Sequence, residues 1–175
     1  MTPGLGSGYR AAPSVSPQGP PGFSRAGRPA NFEVMYGDDS SPYIVHVPHS
    51  STVIPEDVRG ELLLGDHALA EELRLMTDAR TDELAILAAA QVAPRPWLFA
   101  KRLSRLVVAS ERRPYVHEEM TELGMGSVYT RTSRGKDLRA LGRPAESHLP
   151  STSSWHYATA CANLVDTRTR PPARV

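Results

Sequence analysis

Residues 43–55 constrain most strongly what the chain can fold into. Ile44, Val45 and Val47 fit a short buried strand, and Pro48 has no amide hydrogen to donate to a sheet, so strand pairing should end there. His49 then lies at the carboxyl end of the strand, where α/β proteins place binding and catalytic groups. An imidazole at this place is suited to bind a metal or to transfer a proton, whereas most single histidines are structural or lie on the surface. We therefore expect an α/β fold with this strand at its centre.

The composition indicates a globular domain of ordinary size and excludes several classes of partner. The 175 residues are 40% hydrophobic and 22% charged, as in most globular domains. The single cysteine excludes an internal disulfide framework and is typical of a reducing compartment. We see neither an apolar run of membrane-spanning length nor a signal peptide, so we expect a cytoplasmic protein. A formal net charge of +1 gives no reason to expect nucleic acid or an anionic membrane as a partner.

The chain divides into three regions. Residues 1–30 are more than half Gly, Pro and Ser, and such a segment is expected to be a disordered tail, with a Pro-rich docking segment as the alternative. Residues 31–139 carry strand and helix patterns and form the predicted α/β domain. Residues 140–175 show no such period and are predicted to be an irregular tail.

Within the α/β domain the sequence predicts helices and strands in alternation. Helices are predicted for residues 55–64, for a segment capped by Asp66 with core positions Leu69, Leu73 and Met76, and for residues 82–91. Further strands are predicted for residues 32–36, 97–100, 106–108 and the end of the glycine-containing segment 124–132.

Asp78 and Asp82 are the first additional candidates for a site. If they are helical, their spacing of four places both carboxylates on one face, where they repel unless a metal ion or an arginine neutralises them. The alternative is a helix start, where acidic residues favour the positive end of the helix dipole.

Arginines supply the second set of candidates. Arg105 and Arg112 lie near the predicted strand ends, and a planar guanidinium binds carboxylates in a bidentate manner. The alternative is a solvated basic loop that pairs with the acidic residues around Glu111. Arg131 follows the glycine turn and is placed to line a pocket. The basic residues lack interleaved aromatic side chains, which argues against binding of nucleic acid.

Five sequence blocks occur in a consecutive order that is more specific than any one of them. They are HVPHSSTVIP at 46–55, MTD with TDEL at 76–84, RLSRLVV at 102–108, ER with EEM at 111–120, and GMGSVYTRT at 124–132. Together they resemble the N-formylglutamate amidohydrolase family. The resemblance implies an α/β hydrolase with a partial mixed sheet, flanking helices and a zinc-carboxypeptidase-like (phosphorylase/hydrolase-like) architecture. It implies cleavage of the amide of N-formylglutamate or of another N-acyl amino acid.

The resemblance also implies a metal-assisted reaction with zinc or a similar divalent ion. It makes His49 the leading metal ligand and Asp78 the first carboxylate ligand, ahead of Asp82. Arg105, Arg112 and Arg131 match positions suited to the carboxylates of the substrate, and which of them binds stays open. The general base and the oligomeric state also stay open.

The chain departs from the family pattern at three places. Ala109 stands where the family usually has aspartate, and Lys101 stands where it usually has asparagine. No Asp-x-His-Ser block follows a later strand, although a catalytic zinc takes about three protein ligands. These departures favour a domain that is truncated on its carboxyl side, with residues 140–175 as a frame-shift product. The alternative to an active amidohydrolase is therefore an inactive fragment that acts, if at all, as a binding module.

Overall fold

A three-stranded mixed sheet forms the centre of the protein. The structure is a computed structural model that describes residues 31–112, 119–140 and 155–169. The strands are β1 (Phe32–Met35), β2 (Ile44–Val47) and β3 (Trp97–Lys101), in the order β1-β3-β2. β3 pairs antiparallel with β1 and parallel with β2. The mixed sheet expected from the sequence is therefore confirmed.

The prediction that the strand before His49 lies at the centre is wrong, because β2 is at an edge of the described sheet; the central strand is β3, which is also the most buried. All five of its residues are buried, as expected for an apolar strand that is covered on both faces. Its parallel pairing with β2 places Val47 opposite Ala100, so both strands end at the same edge of the sheet. β2 ends before Pro48, as predicted from the missing amide hydrogen of proline.

Five helices surround the sheet in the part of the chain that the structure describes. They are α1 (Glu56–Arg59), α2 (Asp66–Met76), α3 (Thr81–Ala89), α4 (Glu119–Glu122) and α5 (Trp155–Thr169). α1 is shorter than predicted because Gly60 ends it and Leu62 bridges to Arg139 instead. Asp66 is the first residue of α2, whereas Gly65 occupies the N-cap position predicted for Asp66.

Two of the three hydrophobic clusters in the described residues connect α2 and α3 to the rest of the fold; the third joins Val58 of α1 to the segment 103–108. One cluster holds Leu69 and Met76 of α2 together with Leu106 and Tyr129, and Leu73 packs against it. The predicted core positions of α2 are therefore confirmed. The other cluster packs α3 on the sheet through Ala89, Val47, Leu98 and Ala100.

The predicted strand at residues 106–108 is wrong. These residues are buried, but they form a turn in which the Val107 amide donates to the Ser104 carbonyl at 3.0 Å. The Leu106 amide donates to the Ser104 side-chain Oγ at 3.2 Å. The apolar pattern thus correctly indicated that these residues are buried. Ser104 accepts the amide hydrogens of Leu106 and Val107, so these amides form a turn instead of pairing with a neighbouring strand.

The glycine turn is present, but a continuous strand does not follow it. Gly124 has φ +73°, and a Cβ there would lie 2.8 Å from the Thr130 Oγ1 and the Arg131 Cγ. The glycine is therefore required by both its backbone angle and the close approach of the chain. Isolated bridges join Met125 to Tyr129 and Arg131 to Asp137 in place of a strand.

The region 140–175 contains a helix, which corrects the prediction of an irregular tail. α5 spans 15 residues. Alanine and threonine are its most frequent residues, with three of each, and among its residues with described side chains only Tyr157 is buried, so its apolar period is weak. The tail predicted for residues 1–30 lies outside the described residues. None of the helices within the described ranges is both long and apolar enough to cross a bilayer.

Candidate functional site

The candidate site lies where β2 and β3 end side by side. His49 follows β2 by two residues, and Lys101 is the last residue of β3. The Oγ of Ser51 donates to the Arg102 carbonyl at 2.8 Å and connects the two loops that leave the strands. The sequence therefore correctly predicted where His49 lies relative to the sheet.

His49 and Glu111 form the pair at the centre of this site. The His49 Nε2 lies 3.3 Å from the Glu111 Oε1, and the two side chains are 15% and 26% exposed. The buried His49 Nδ1 has no hydrogen-bond partner among the described residues. Burial lowers the pKa of His49. The positive charges of Arg105 and Lys101 lower it further, whereas the carboxylates of Glu111 and Asp78 oppose the shift. The imidazole is therefore mainly neutral at pH 7 and able to accept a proton.

Asp78 and Arg105 flank the pair. The Asp78 amide donates to the His49 carbonyl at 2.9 Å, which fixes the two loops to each other. The Asp78 Oδ2 lies 3.9 Å from an Arg105 guanidinium nitrogen, and the Arg105 side chain is largely buried. Three of the candidates from the sequence, His49, Asp78 and Arg105, are thus brought together.

Asp82 belongs to a different set of contacts. It lies in the first turn of α3, whereas Asp78 precedes that helix, so the two carboxylates do not share a helical face. Asp82 lies 3.5 Å from Arg102, which also pairs with Glu33. The position of Asp82 fits the alternative drawn from the sequence, an acidic residue at a helix start.

Arg112 and Arg131 lie in different places. Arg112 follows Glu111 in a turn that its amide closes on the Ala109 carbonyl at 3.0 Å, and it is half-buried beside the site. Arg131 is exposed, and its Nη1 lies 3.4 Å from the Gly135 carbonyl oxygen. In the described parts of the chain, no contact joins Arg131 to the His49 pair.

Lys101 is a component of the site that the sequence marked only as a departure from the family pattern. Its side chain is fully buried, and its Nζ donates to the Val108 carbonyl. Burial lowers the pKa of Lys101 to about 8, with Glu111 raising it and Arg105 lowering it. The other departure, Ala109, packs in the hydrophobic cluster with Leu106 and Tyr129.

A cleft opens next to Glu111 on the side of α5. Its volume is about 460 Å³, and His46, Ser110 and Tyr157 line it with residues of α5. The His46 Nε2 and the Tyr157 hydroxyl are hydrogen-bonded, and burial lowers the pKa of His46. Sequence reasoning missed Tyr157 because it lies in the region predicted to be irregular; the aromatic residues at 155 and 157, followed by small residues, were the available signal.

The described residues do not complete the metal site that the resemblance implies. In residues 31–112, 119–140 and 155–169, no group of three His, Cys, Asp or Glu side chains is placed to hold one ion. His49 and Glu111 are two adjacent donors, fewer than the three or so that a catalytic zinc takes from protein. The described part of the site therefore does not fit a complete zinc centre.

The fold and the site together define an α/β protein with a histidine–carboxylate pair at the ends of two parallel strands. A family model described as N-formylglutamate amidohydrolase matches residues 41–173. The chain therefore belongs to the N-formylglutamate amidohydrolase family, as the sequence blocks predicted. The match includes most of the region for which a frame-shift was hypothesised.

A solved structure supports the fold. The chain is similar to the crystal structure of N-formylglutamate amidohydrolase from Ralstonia eutropha JMP134, with a TM-score of 0.65 and 21% sequence identity. The likeness covers 80% of this chain and 53% of that chain, so this chain spans about half the length of its structural neighbour. A comparison with curated protein sequences gives no match.

Proposed function

We propose that the protein hydrolyses the amide bond of N-formyl or N-acyl amino acids. Family membership supports this reaction class, and the His49–Glu111 pair at 3.3 Å is the observation that carries the proposal. A cytoplasmic location stays a prediction. The substrate is a small molecule with at least one carboxylate, which matches the arginines beside the pair.

In the proposed reaction His49 is the general base. Its neutral imidazole accepts a proton from water, and the oxygen of that water adds to the amide carbonyl carbon. Glu111 orients the ring and stabilises the imidazolium that forms, as a carboxylate does in other histidine pairs. The C–N bond then breaks, the acyl group leaves as a carboxylic acid and the amine takes the proton. One water is consumed, and formate or another acid and a free amino acid are released.

Arg105 and Arg112 are proposed to bind the substrate carboxylates. Arg105 is largely buried and lies beside His49, and its contact with Asp78 is loose, at 3.9 Å. A guanidinium that is partly removed from water binds a carboxylate more strongly than an exposed one does. Arg131, which is exposed, has no part in this proposal.

Zinc or a similar divalent ion is a separate part of the proposal. In a metal-bound protein His49 and Glu111 would supply two donors to the ion instead of acting as general base and partner, and Asp78 is the nearby carboxylate named by the resemblance. A bound ion would polarise the amide carbonyl and lower the pKa of its water. Metal analysis of the purified protein tests this part: a stoichiometric divalent ion that is lost in His49→Ala supports it, and a metal-free active protein contradicts it.

The hydrolysis is tested by measuring formate and amino acid released from N-formyl-L-glutamate and N-acetyl-L-glutamate. We expect His49→Ala and Glu111→Gln to lower kcat/KM by about 10²–10⁴-fold, whereas His67→Ala on the exposed side of α2 leaves it unchanged. Because the pKa of His49 is lowered from 6.5, activity should persist at pH 6.5 and fall only in more acidic solution. Binding of these substrates without any release would instead support the inactive binding module.

A further inference from the structure

The cleft beside Glu111 has two different walls. One wall is the end of the sheet and its loop, with His46, Ser110 and Glu111. The other wall is one face of α5, to which Ala158, Ala162 and Val165 contribute. Because residues four and three apart share a helical face, these three side chains lie in one row along the cleft.

Small apolar side chains form much of the wall contributed by α5, beside Tyr157 and Asp166. Alanine at two of the three positions leaves an open space of about 460 Å³ between the helix and the sheet. Cys161 lies on the same wall and is half-buried. A neutral alkyl group would therefore gain contact with carbon atoms along the length of the cleft.

The charges of the cleft exclude an anionic group. Its described lining includes the carboxylates of Glu111 and Asp166 and contains no lysine or arginine. The arginine placed to bind a carboxylate, Arg105, lies on the Asp78 side of the His49 pair. Arg105 is not part of the described lining, so a substrate carboxylate that it binds would lie outside the cleft.

We propose that this cleft binds the acyl chain of an N-acyl amino acid and favours apolar chains longer than formyl or acetyl. This inference rests on the proposed function, since that function places the amide at His49 and the carboxylates at Arg105. The amino-acid part then faces the arginines, and the acyl part extends along Ala158, Ala162 and Val165. The specificity of this chain is accordingly for neutral, medium-length acyl groups.

Cys161 provides a test that does not depend on activity. It is the only cysteine in the chain, so alkylation by N-ethylmaleimide, followed by mass spectrometry, reports on this cleft alone. N-hexanoyl-L-glutamate should slow the alkylation, and N-acetyl-L-glutamate at the same concentration should do so far less. Along a series from acetyl to hexanoyl, we expect the affinity to rise about fourfold per methylene until the cleft is filled.

A pair of neighbouring substitutions controls for changes outside the cleft. Ala162→Phe fills the cleft and should abolish the protection by N-hexanoyl-L-glutamate. Asn163→Phe adds the same side chain at the next, exposed position, outside the lining, and should leave it intact. The milder Ala162→Leu, checked by thermal melting, serves if the phenylalanine variant does not fold.

Protection and hydrolysis are measured on the same purified full-length protein, so that the two proposals fail separately. Equal protection by acetyl and hexanoyl compounds, or protection that persists in the cleft-filling variants, overturns the proposed acyl site. In that case release of formate from N-formyl-L-glutamate still supports the hydrolase. Chain-length-dependent protection without hydrolysis of any compound supports the acyl-binding cleft and contradicts the proposed reaction.

Discussion

α2 and the loop that follows β3 both contribute buried side chains to the core, but they differ in their polar contacts. α2 contacts the core through Leu69 and Met76, which pack with other apolar side chains. The loop at residues 102–111 also packs apolar side chains in the core, and buried cations in addition donate to its carbonyls. The Lys101 Nζ donates to the Val108 carbonyl, and Arg139 donates to the Leu106 carbonyl at 2.8 Å.

This difference bears on how the site is built. The apolar face of a helix tolerates small rearrangements, because dispersion and burial have little directionality. Buried cations that donate to loop carbonyls fix the loop in one arrangement, since each unpaired carbonyl would cost free energy. The loop carries Arg105 and Glu111, so polar contacts fix the positions of both residues relative to His49. We infer that both respond to changes of volume, and that the loop responds in addition to the loss of hydrogen-bond donors.

The largest expected effect on stability concerns the volume of the core under α2. Leu69→Ala should lower the free energy of unfolding by about 2–5 kcal/mol, because it leaves a cavity in the cluster with Leu106 and Tyr129. Leu75→Ala on the exposed side of the same helix should change it by less than about 0.5 kcal/mol. Urea unfolding measures both values, and similar losses in the two variants would contradict the assigned core face.

The second prediction removes a donor from the loop. Arg139→Met keeps most of the buried volume but leaves the Leu106 and Tyr129 carbonyls without the guanidinium. We expect a loss of about 1–3 kcal/mol, together with a lower kcat/KM because the loop carries Arg105 and Glu111.

A surface arginine provides the control for this change. Arg134→Met removes an exposed charge that lies 3.9 Å from Glu71, and a pair of this kind contributes about 1 kcal/mol or less. Unchanged stability in Arg139→Met would show that burial of apolar atoms, not hydrogen bonding, holds the loop.

The same difference explains how much the sequence could predict. Leu69 and Met76 follow the period of a helix, and Pro48 lacks an amide hydrogen, so local rules gave the face of α2 and the end of β2. The position of His49 at the sheet edge followed from that strand end. Local patterns and the order of the blocks were sufficient for these features.

The partners of His49 could not be predicted in the same way. Glu111 is 62 positions away in the chain, and its contact depends on a turn that Ser104 creates within a segment patterned as a strand. The buried Lys101 Nζ donates to the carbonyl of Val108, which no local pattern indicates. One wall of the cleft is formed by α5, whose apolar period is weak. Side-chain contacts between distant segments leave no periodic signal in the sequence.

The smallest expected effect is the pH dependence that the buried Lys101 gives to stability. Its pKa is lowered from 10.5 to about 8 in the folded protein, so between these values the unfolded chain binds more protons than the folded one. The free energy of unfolding should therefore rise with pH, by about 1 kcal/mol between pH 8 and 9. Lys101→Met removes this contribution, whereas Lys136→Met, at an exposed position, retains it. Urea midpoints of both variants at pH 7, 8 and 9 measure this difference. The same pH dependence in Lys101→Met and Lys136→Met would mean that Lys101 titrates as an exposed lysine. The loop would then not be held by a buried cation.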